Sequence, residues 1–196
     1  QGIIDKRRIA DYLGGISLRM VNALISILSR LGAAFSPSPA HPHYVFRLRD
    51  IISIMQSALH LGSVEKSEDS FIYALVHGCY RTFKDRLIQT REGEEFDIIL
   101  QSVLESEIGI NIQDLIPNGD PLLFCHRRVT LTDAHIGRIP KRVINLNETT
   151  SNIRELFCES ANKITLSSAM INSSTVRNVC HILHNVGQPE GHVIMI

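Results

Sequence analysis

Two arginines stand where a helix should begin. In His41-Pro-His-Tyr-Val-Phe-Arg-Leu-Arg-Asp-Ile51, Arg47 and Arg49 lie between a Ser/Pro-rich connector, Phe35-Ser-Pro-Ser-Pro-Ala40, and a helical apolar stripe. The start of a helix favours anions and disfavours cations, because the backbone dipoles leave partial positive charge there. A guanidinium in that place has two uses. It pairs with a nearby acid such as Asp50 or is simply solvated, or it reaches a phosphate brought from another unit, whose oxygens its rigid fork of donors matches. The residues alone leave both open.

Other chemistry is sparse. No GxSxG, HExxH, paired-carboxylate or GxxxxGK[ST] pattern occurs in the 196 residues, so no complete catalytic site is expected. The nine histidines include His41 and His43 beside the connector and His181 and His184 at helical i, i+3 spacing. Zinc would need further ligands, which the cysteines do not supply at suitable spacing, so surface or core histidines are expected and no metal site. At the N-terminus, Arg7-Arg-Ile-Ala-Asp-Tyr-Leu-Gly14, Ser17 and Val21-Asn-Ala-Leu24 have helix-turn-helix spacing, with positive charge from Lys6, Arg7, Arg8 and Arg19. Gly15 disturbs that turn. An ordinary helix, loop, helix accounts for the pattern as well, but a stand-alone helical interaction or DNA-binding module is the alternative reading of the chain.

Composition narrows the field. Twenty basic and twenty acidic residues give zero formal net charge, so no global field draws the chain to nucleic acid or to an acidic membrane surface. A 44% hydrophobic content excludes a disordered chain and suffices for a real core. Cys79, Cys125, Cys158 and Cys180 stand far apart and read as reduced thiols of a cytosolic-type compartment. No apolar run approaches the roughly 18 residues of a membrane helix. A soluble intracellular chain is expected. Because it starts without methionine and stops on the β-type run Gly191-His-Val-Ile-Met-Ile196, it also reads as a cut through something larger.

The elements that must position Arg49 follow from apolar spacing. One helix is expected over about 19–34 on Val21, Leu24, Ile25, Leu28 and Leu31. The next spans 48–61 on Leu48, Ile51, Ile52, Met55 and Leu59. A third spans 69–88 on Ile72, Leu75, Val76, Cys79, Phe83 and Leu87, and a fourth 94–107 on Phe96, Ile99, Leu100, Val103 and Leu104. The turn residues of Ile116-Pro-Asn-Gly-Asp-Pro121 mark a domain boundary. Residues 122–147 read as irregular around a short apolar piece, Leu122-Leu-Phe124. Helical spacing returns at Ile153, Leu156 and Phe157 and at Val176, Val179, Cys180, Leu183 and Val186. Gly187-Gln-Pro-Glu-Gly191 then breaks it before a final strand, an order that introduces many doubly wound α/β domains.

Three stretches resemble one family. His43-Tyr-Val-Phe-Arg-Leu-Arg-Asp-Ile51, after Ser36-Pro-Ser-Pro39, resembles the "PTP…HYxFNLRDL" segment that opens the small helical subdomain of an AAA+ module in dynein heavy chains. His77-Gly-Cys-Tyr-Arg-Thr-Phe-Lys-Asp-Arg-Leu87 is similar to the "HExxRVFxDRL" helix of the same subdomain. Val179-Cys-His-Ile-Leu-His-Asn-Val-Gly-Gln-Pro-Glu-Gly-His-Val-Ile-Met-Ile196 resembles "HICRIxRxxRQPxGNxLLVG", which leads into the next module's phosphate loop. Leu122-Leu-Phe124 would belong to the family's "PLxFxDF".

The resemblance implies a mainly α fold: a helical AAA+ lid subdomain over 1–115, a connector over 116–147, and over 148–196 the N-terminal part of an α/β AAA+ large subdomain, stopping before its phosphate loop. In ring order these are the end of the third module and the start of the fourth. It implies a piece of an ATP-driven microtubule motor, axonemal rather than cytoplasmic, working with the rest of the heavy-chain ring, the microtubule, and intermediate and light chains. Cytoplasm, cytoskeleton and the cilium's axoneme are the expected locations, with no nucleic-acid or membrane partner. ATP or ADP with Mg serves the intact motor and none is expected on this stretch alone, because phosphoryl transfer depends on parts it omits. Arg49 falls on the family's sensor arginine, which reaches the phosphates of its own module, and Asp50 either orients Arg49 or caps the helix. Arg47 stands where the family has Asn and inherits no role. The main chain of Met170 and Ile171, within Ala169-Met-Ile-Asn172, aligns with the adenine-side "LVLF", although this segment is more polar and Asn178 replaces a histidine. Gly78 replaces the Glu of "HExxR".

Overall fold

In a computed structural model the chain divides into two compact units, residues 1–116 and 117–196. The structure describes residues 16–62, 67–116, 122–132, 135–151 and 172–186. The N-terminal helix-turn-helix pattern before residue 16, the turn 117–121, the apolar positions at 153–157, Met170, Ile171 and the final strand lie outside the described residues.

The first unit is helical. Its elements are α1 (Ile16–Ala34), α2 (Leu48–Gly62), α3 (Glu68–Thr82), a 3-10 turn (Lys84–Arg86), α4 (Thr90–Glu107) and the short α5 (Ile112–Leu115). Helix α3 lies at the centre: every residue from Phe71 to Cys79 is buried, as befits a helix covered all round. Ser67 starts it by accepting the Ser70 N–H at 3.1 Å, with Glu68 and Asp69 favourably placed in the first turn. Helix α2 packs on α3, and α1 packs on α4. Helix α4 buries Phe96, Leu100, Val103 and Leu104 and ends at Gly109, whose φ of 80° lets its N–H return to the Leu104 carbonyl at 2.9 Å.

Three sequence expectations need correction in this unit. Helix α1 buries Met20, Ala23, Leu24, Ile27 and Leu31 and leaves Ile25 exposed, so its core face is turned from the expected stripe. Helix α2 buries Ile51, Ile54, Ala58 and Leu61, while Leu48, Ile52 and Leu59 are exposed at 68%, 57% and 41%. Both faces of α2 are apolar, and only one meets α3. Finally, the helix expected to run to 88 stops at Thr82. Its C-cap Phe83 is buried, the chain tightens through Lys84–Arg86, and Leu87 is extended. The cause is tertiary, because Lys84 and Arg86 are held by residues of different helices.

In the second unit, residues 122–147 are more ordered than expected. Strands β1 (Leu123–Thr132) and β2 (His135–Val143) pair antiparallel, Leu123 opposite Val143 and Arg128 opposite Arg138, with an irregularity at Thr130/Thr132. Pro140 is tolerated because a two-stranded ribbon has only edges. Asn145 then accepts the N–H groups of Asn147 at 3.0 Å and Glu148 at 3.3 Å, and residues 146–151 turn helical. Helix α6 (Ser173–Val186) packs on β1, and Val176 and Cys180 join Leu123 and Val143 in a small core with Leu146 against it. Among the described residues no helix is long and apolar enough to cross a membrane.

Candidate functional site: the start of helix α2

The connector ends in an aromatic cluster. His41 stacks on Tyr44 with ring centroids 4.8 Å apart, Phe35 meets Tyr44 edge-on, and Phe46 meets Phe83 edge-on at 5.8 Å. The Tyr44 hydroxyl donates to Glu92 Oε2 at 2.5 Å and accepts the Ile88 N–H at 3.0 Å. Glu92 also accepts the Gln89 N–H at 3.1 Å, so one carboxylate serves both the cap of α4 and the connector. The Tyr44 hydrogen bond holds the Glu92 carboxyl below its ordinary range, while burial and then Glu92 push the Tyr44 phenol up.

With its aromatic base fixed, the chain enters α2. Asp50 is the third helical residue, and its Oδ2 accepts the Arg47 N–H at 2.9 Å, capping the helix from within. Of the two roles expected for Asp50, capping is the one the geometry displays. Its charge partner is Arg86 and not Arg49: Arg86 Nη2 donates to Oδ1 at 2.7 Å and Nη1 to Oδ2 at 3.1 Å. Arg86 Nη1 also donates to the Val45 carbonyl at 2.8 Å, and His43 Nε2 lies 3.1 Å from the Arg86 carbonyl oxygen. The side chains of Arg86 and Asp50 are partly sheltered from water, which makes the forked pair stronger than an open surface pair.

Arg49, the second helical residue, is exposed and makes no hydrogen bond or ion pair to any described residue. It sits at the anion-favouring end of α2, with exposed Leu48 before it and exposed Ile52 a turn on. Arg47 is exposed too, and only its backbone is engaged at the cap. Behind the site, Lys84 Nζ bridges both Asp97 oxygens at 2.7 and 2.6 Å and lies 4.7 Å from the Tyr80 ring centroid, which fixes the 3-10 turn to α4. Gly78 is buried where α3 crosses α2: a Cβ there would stand 3.0 Å from Ile54 Cγ2.

The remaining sequence candidates fall elsewhere. Asn172 caps α6 by accepting the Thr175 N–H at 2.8 Å, and Asn178 is exposed on that helix. Cys79 and Cys180 are buried thiols outside any disulfide, and burial pushes the Cys79 thiol up, which suits an inert core residue. Among the described residues no three His, Cys, Asp or Glu side chains gather closely enough to hold a metal ion. Arg86, Tyr44 and Glu92 are the residues that sequence reasoning does not single out. The first two lie inside the quoted motifs, but no local spacing rule links them to their partners.

The site is thus a helical unit in which Arg49 stands exposed at a helix start braced by Arg86 and Asp50. Residues 7–93 match the family model of the dynein heavy chain, ATPase lid domain, and that stretch is a lid of this kind. It is 26% identical over 185 residues to mouse dynein axonemal heavy chain 2, covering 90% of this chain and 4% of that protein. Over 106 residues it is 32% identical to human dynein axonemal heavy chain 6, covering 54% of this chain and 2% of that protein. With the ciliary dynein beta chain of Tripneustes gratilla it shares 22% over 194 residues, which is 96% of this chain and 4% of the relative. The chain therefore spans a few per cent of the length of these relatives.

Proposed function

We propose that residues 1–115 act as the lid of one AAA+ module, that 148–196 begin the next, and that 116–147, including the β1–β2 ribbon, join them as the end of the third module and the start of the fourth. In this reading Arg49 senses the nucleotide of its own module, ATP or ADP with Mg in the intact motor. The phosphates come from the large subdomain that precedes the lid. The observation that carries the reading is the state of Arg49, exposed and without a described partner beside a carboxylate already committed to Arg86. A guanidinium kept out of the neighbouring ion pair is available to an external anion. The exposed Leu48 and Ile52 beside it offer apolar surface for the module body to cover.

Lid rotation on nucleotide exchange would then pass to the next module as a hinge-type motion of packed helices. The axonemal and ciliary names of the relatives support a place in the cilium's axoneme, and the family resemblance adds microtubules, the rest of the heavy-chain ring, and intermediate and light chains as partners of the intact motor. The main chain of Met170 and Ile171 is kept as the adenine-side contact of the following module. The decisive experiment replaces Arg49 with Ala in the full heavy chain and measures nucleotide affinity and turnover at that module. Weakened affinity is expected, and unchanged values for both would sink the sensor role.

A further inference from the structure

We infer that Arg86 is a positioning residue for Arg49, an inference that rests on the sensor reading above. The connector that leads into α2 has little regular structure of its own, so the helix start needs an external brace. The 3-10 turn supplies it at several points: the Arg86 fork on Asp50, Arg86 Nη1 on the Val45 carbonyl at 2.8 Å, and His43 against the Arg86 carbonyl at 3.1 Å. Asp50 is chain neighbour to Arg49, and the same carboxylate caps the helix through the Arg47 N–H. The direction of the first turn, and with it the direction of Arg49, is thus set by a residue 36 positions further along the chain.

The fork also has an electrostatic effect. By satisfying both Asp50 oxygens it removes the nearest acid that could draw Arg49 away from an incoming phosphate. Lysine cannot do this, because a point charge on a flexible stem does not hold two oxygens and a carbonyl in one plane. Lys84, two residues earlier, anchors the same turn to α4 through Asp97. The brace therefore ties the sensor helix to the body of the lid.

The test uses the full heavy chain with nucleotide binding at its other modules disabled, and mant-ADP as the probe. Four variants are compared with wild type: Arg49→Ala, Arg86→Lys, the two combined, and Val103→Ala, a buried α4 residue, as a control for lost stability. Arg86→Lys is expected to weaken binding about tenfold. The combined variant should bind no more weakly than Arg49→Ala alone, since Arg86 acts only through Arg49. Val103→Ala should leave affinity at the wild-type value despite a lower melting temperature. Wild-type affinity in Arg86→Lys when Arg49→Ala binds weakly overturns the inference and leaves the sensor reading standing. Multiplying losses in the combined variant, or an equal loss in Val103→Ala, also overturn it. No loss in Arg49→Ala removes the sensor reading first and this inference with it. Should Arg86→Lys fail to fold, Asp50→Asn, which keeps an oxygen for the Arg47 N–H, replaces it under the same criteria.

Discussion

The hydroxyl of Tyr44 donates to the carboxylate of Glu92 at 2.5 Å while accepting the Ile88 N–H at 3.0 Å, so a phenol in the connector closes the start of α4. Tyr44→Phe strands the Ile88 N–H and leaves Glu92 Oε2 with the Gln89 N–H alone, and is expected to lower the urea midpoint. The pH dependence has a defined sign. Glu92 titrates lower folded than unfolded, so its contribution is complete above the unfolded carboxyl range and is lost as pH falls towards its folded value. Tyr44 titrates higher folded than unfolded, so its contribution is complete below the unfolded phenol's range and is lost as pH rises from there through its folded value. The gap between wild type and Tyr44→Phe should be flat near neutrality and shrink at both extremes. A gap that widens in acid would contradict the assignment.

Gly78 departs from the glutamate of the family's motif, and the crossing of α2 and α3 accounts for it. A Cβ there stands 3.0 Å from Ile54 Cγ2, tight enough that the packed Ile54 side chain must give by a few tenths of an ångström, while the Ile54 Cα at 3.6 Å is in ordinary contact. Gly78→Ala gains about 1 kcal/mol of helix propensity and loses about 1–3 kcal/mol to crowding, a small net loss. Gly78→Glu adds a charge to a buried position and should cost about 3 kcal/mol or more. Chemical denaturation should rank the variants Gly, then Ala, then Glu in falling stability. A Glu variant as stable as wild type would mean that the helices separate freely.

Lys84 and Asp97 are joined through both carboxylate oxygens, but their side chains keep 29% and 42% of their exposure. Water and salt screen such a pair, so a double-mutant cycle with Lys84→Met and Asp97→Asn should return a coupling of only about 0.5–1 kcal/mol. Most of it should disappear in 1 M salt, where the Debye length is about 3 Å. The contact of Lys84 with the Tyr80 ring is present with and without Asp97, so it cancels in the cycle and is read instead from the cost of Lys84→Met in the Asp97→Asn background.

How far the sequence reveals this fold depends on whether local spacing or tertiary contact decides each element. Helix α4 is legible because Phe96, Leu100, Val103 and Leu104 form one apolar face on a helix whose other positions, Ile98 and Ile99 apart, are mostly polar or charged. The core face of α2 is not, because Leu48, Ile52 and Leu59 repeat with the same helical rhythm as Ile51, Ile54, Ala58 and Leu61. The ribbon is hidden by Arg127, Arg128, Arg138 and Lys141, which interrupt the alternation that marks a strand. The break after Thr82 escapes because Phe83 and Leu87 keep helical spacing, while the partners of Lys84 and Arg86 lie in other helices. At the site, the arginine at a helix start is visible as an oddity in the sequence. Its freedom from Asp50 is not, because that follows from Arg86.

The two faces of α2 can be told apart by residues two positions apart. Ile54 is 1% exposed and lies against Gly78, so Ile54→Ala removes packed methyls from the α2–α3 contact and should cost about 2–5 kcal/mol. Ile52 is 57% exposed, and Ile52→Ala should change stability by about 0.5 kcal/mol or less in this chain, measured by urea denaturation. In the full heavy chain the ordering should narrow, because a module body seated on Leu48, Ile52 and Leu59 would make Ile52→Ala costly as well. If Ile52→Ala were silent in both settings while Arg49→Ala still weakened nucleotide binding, the sensor would act without a covered apolar face. The lid would then be held to its module by contacts other than this side of α2.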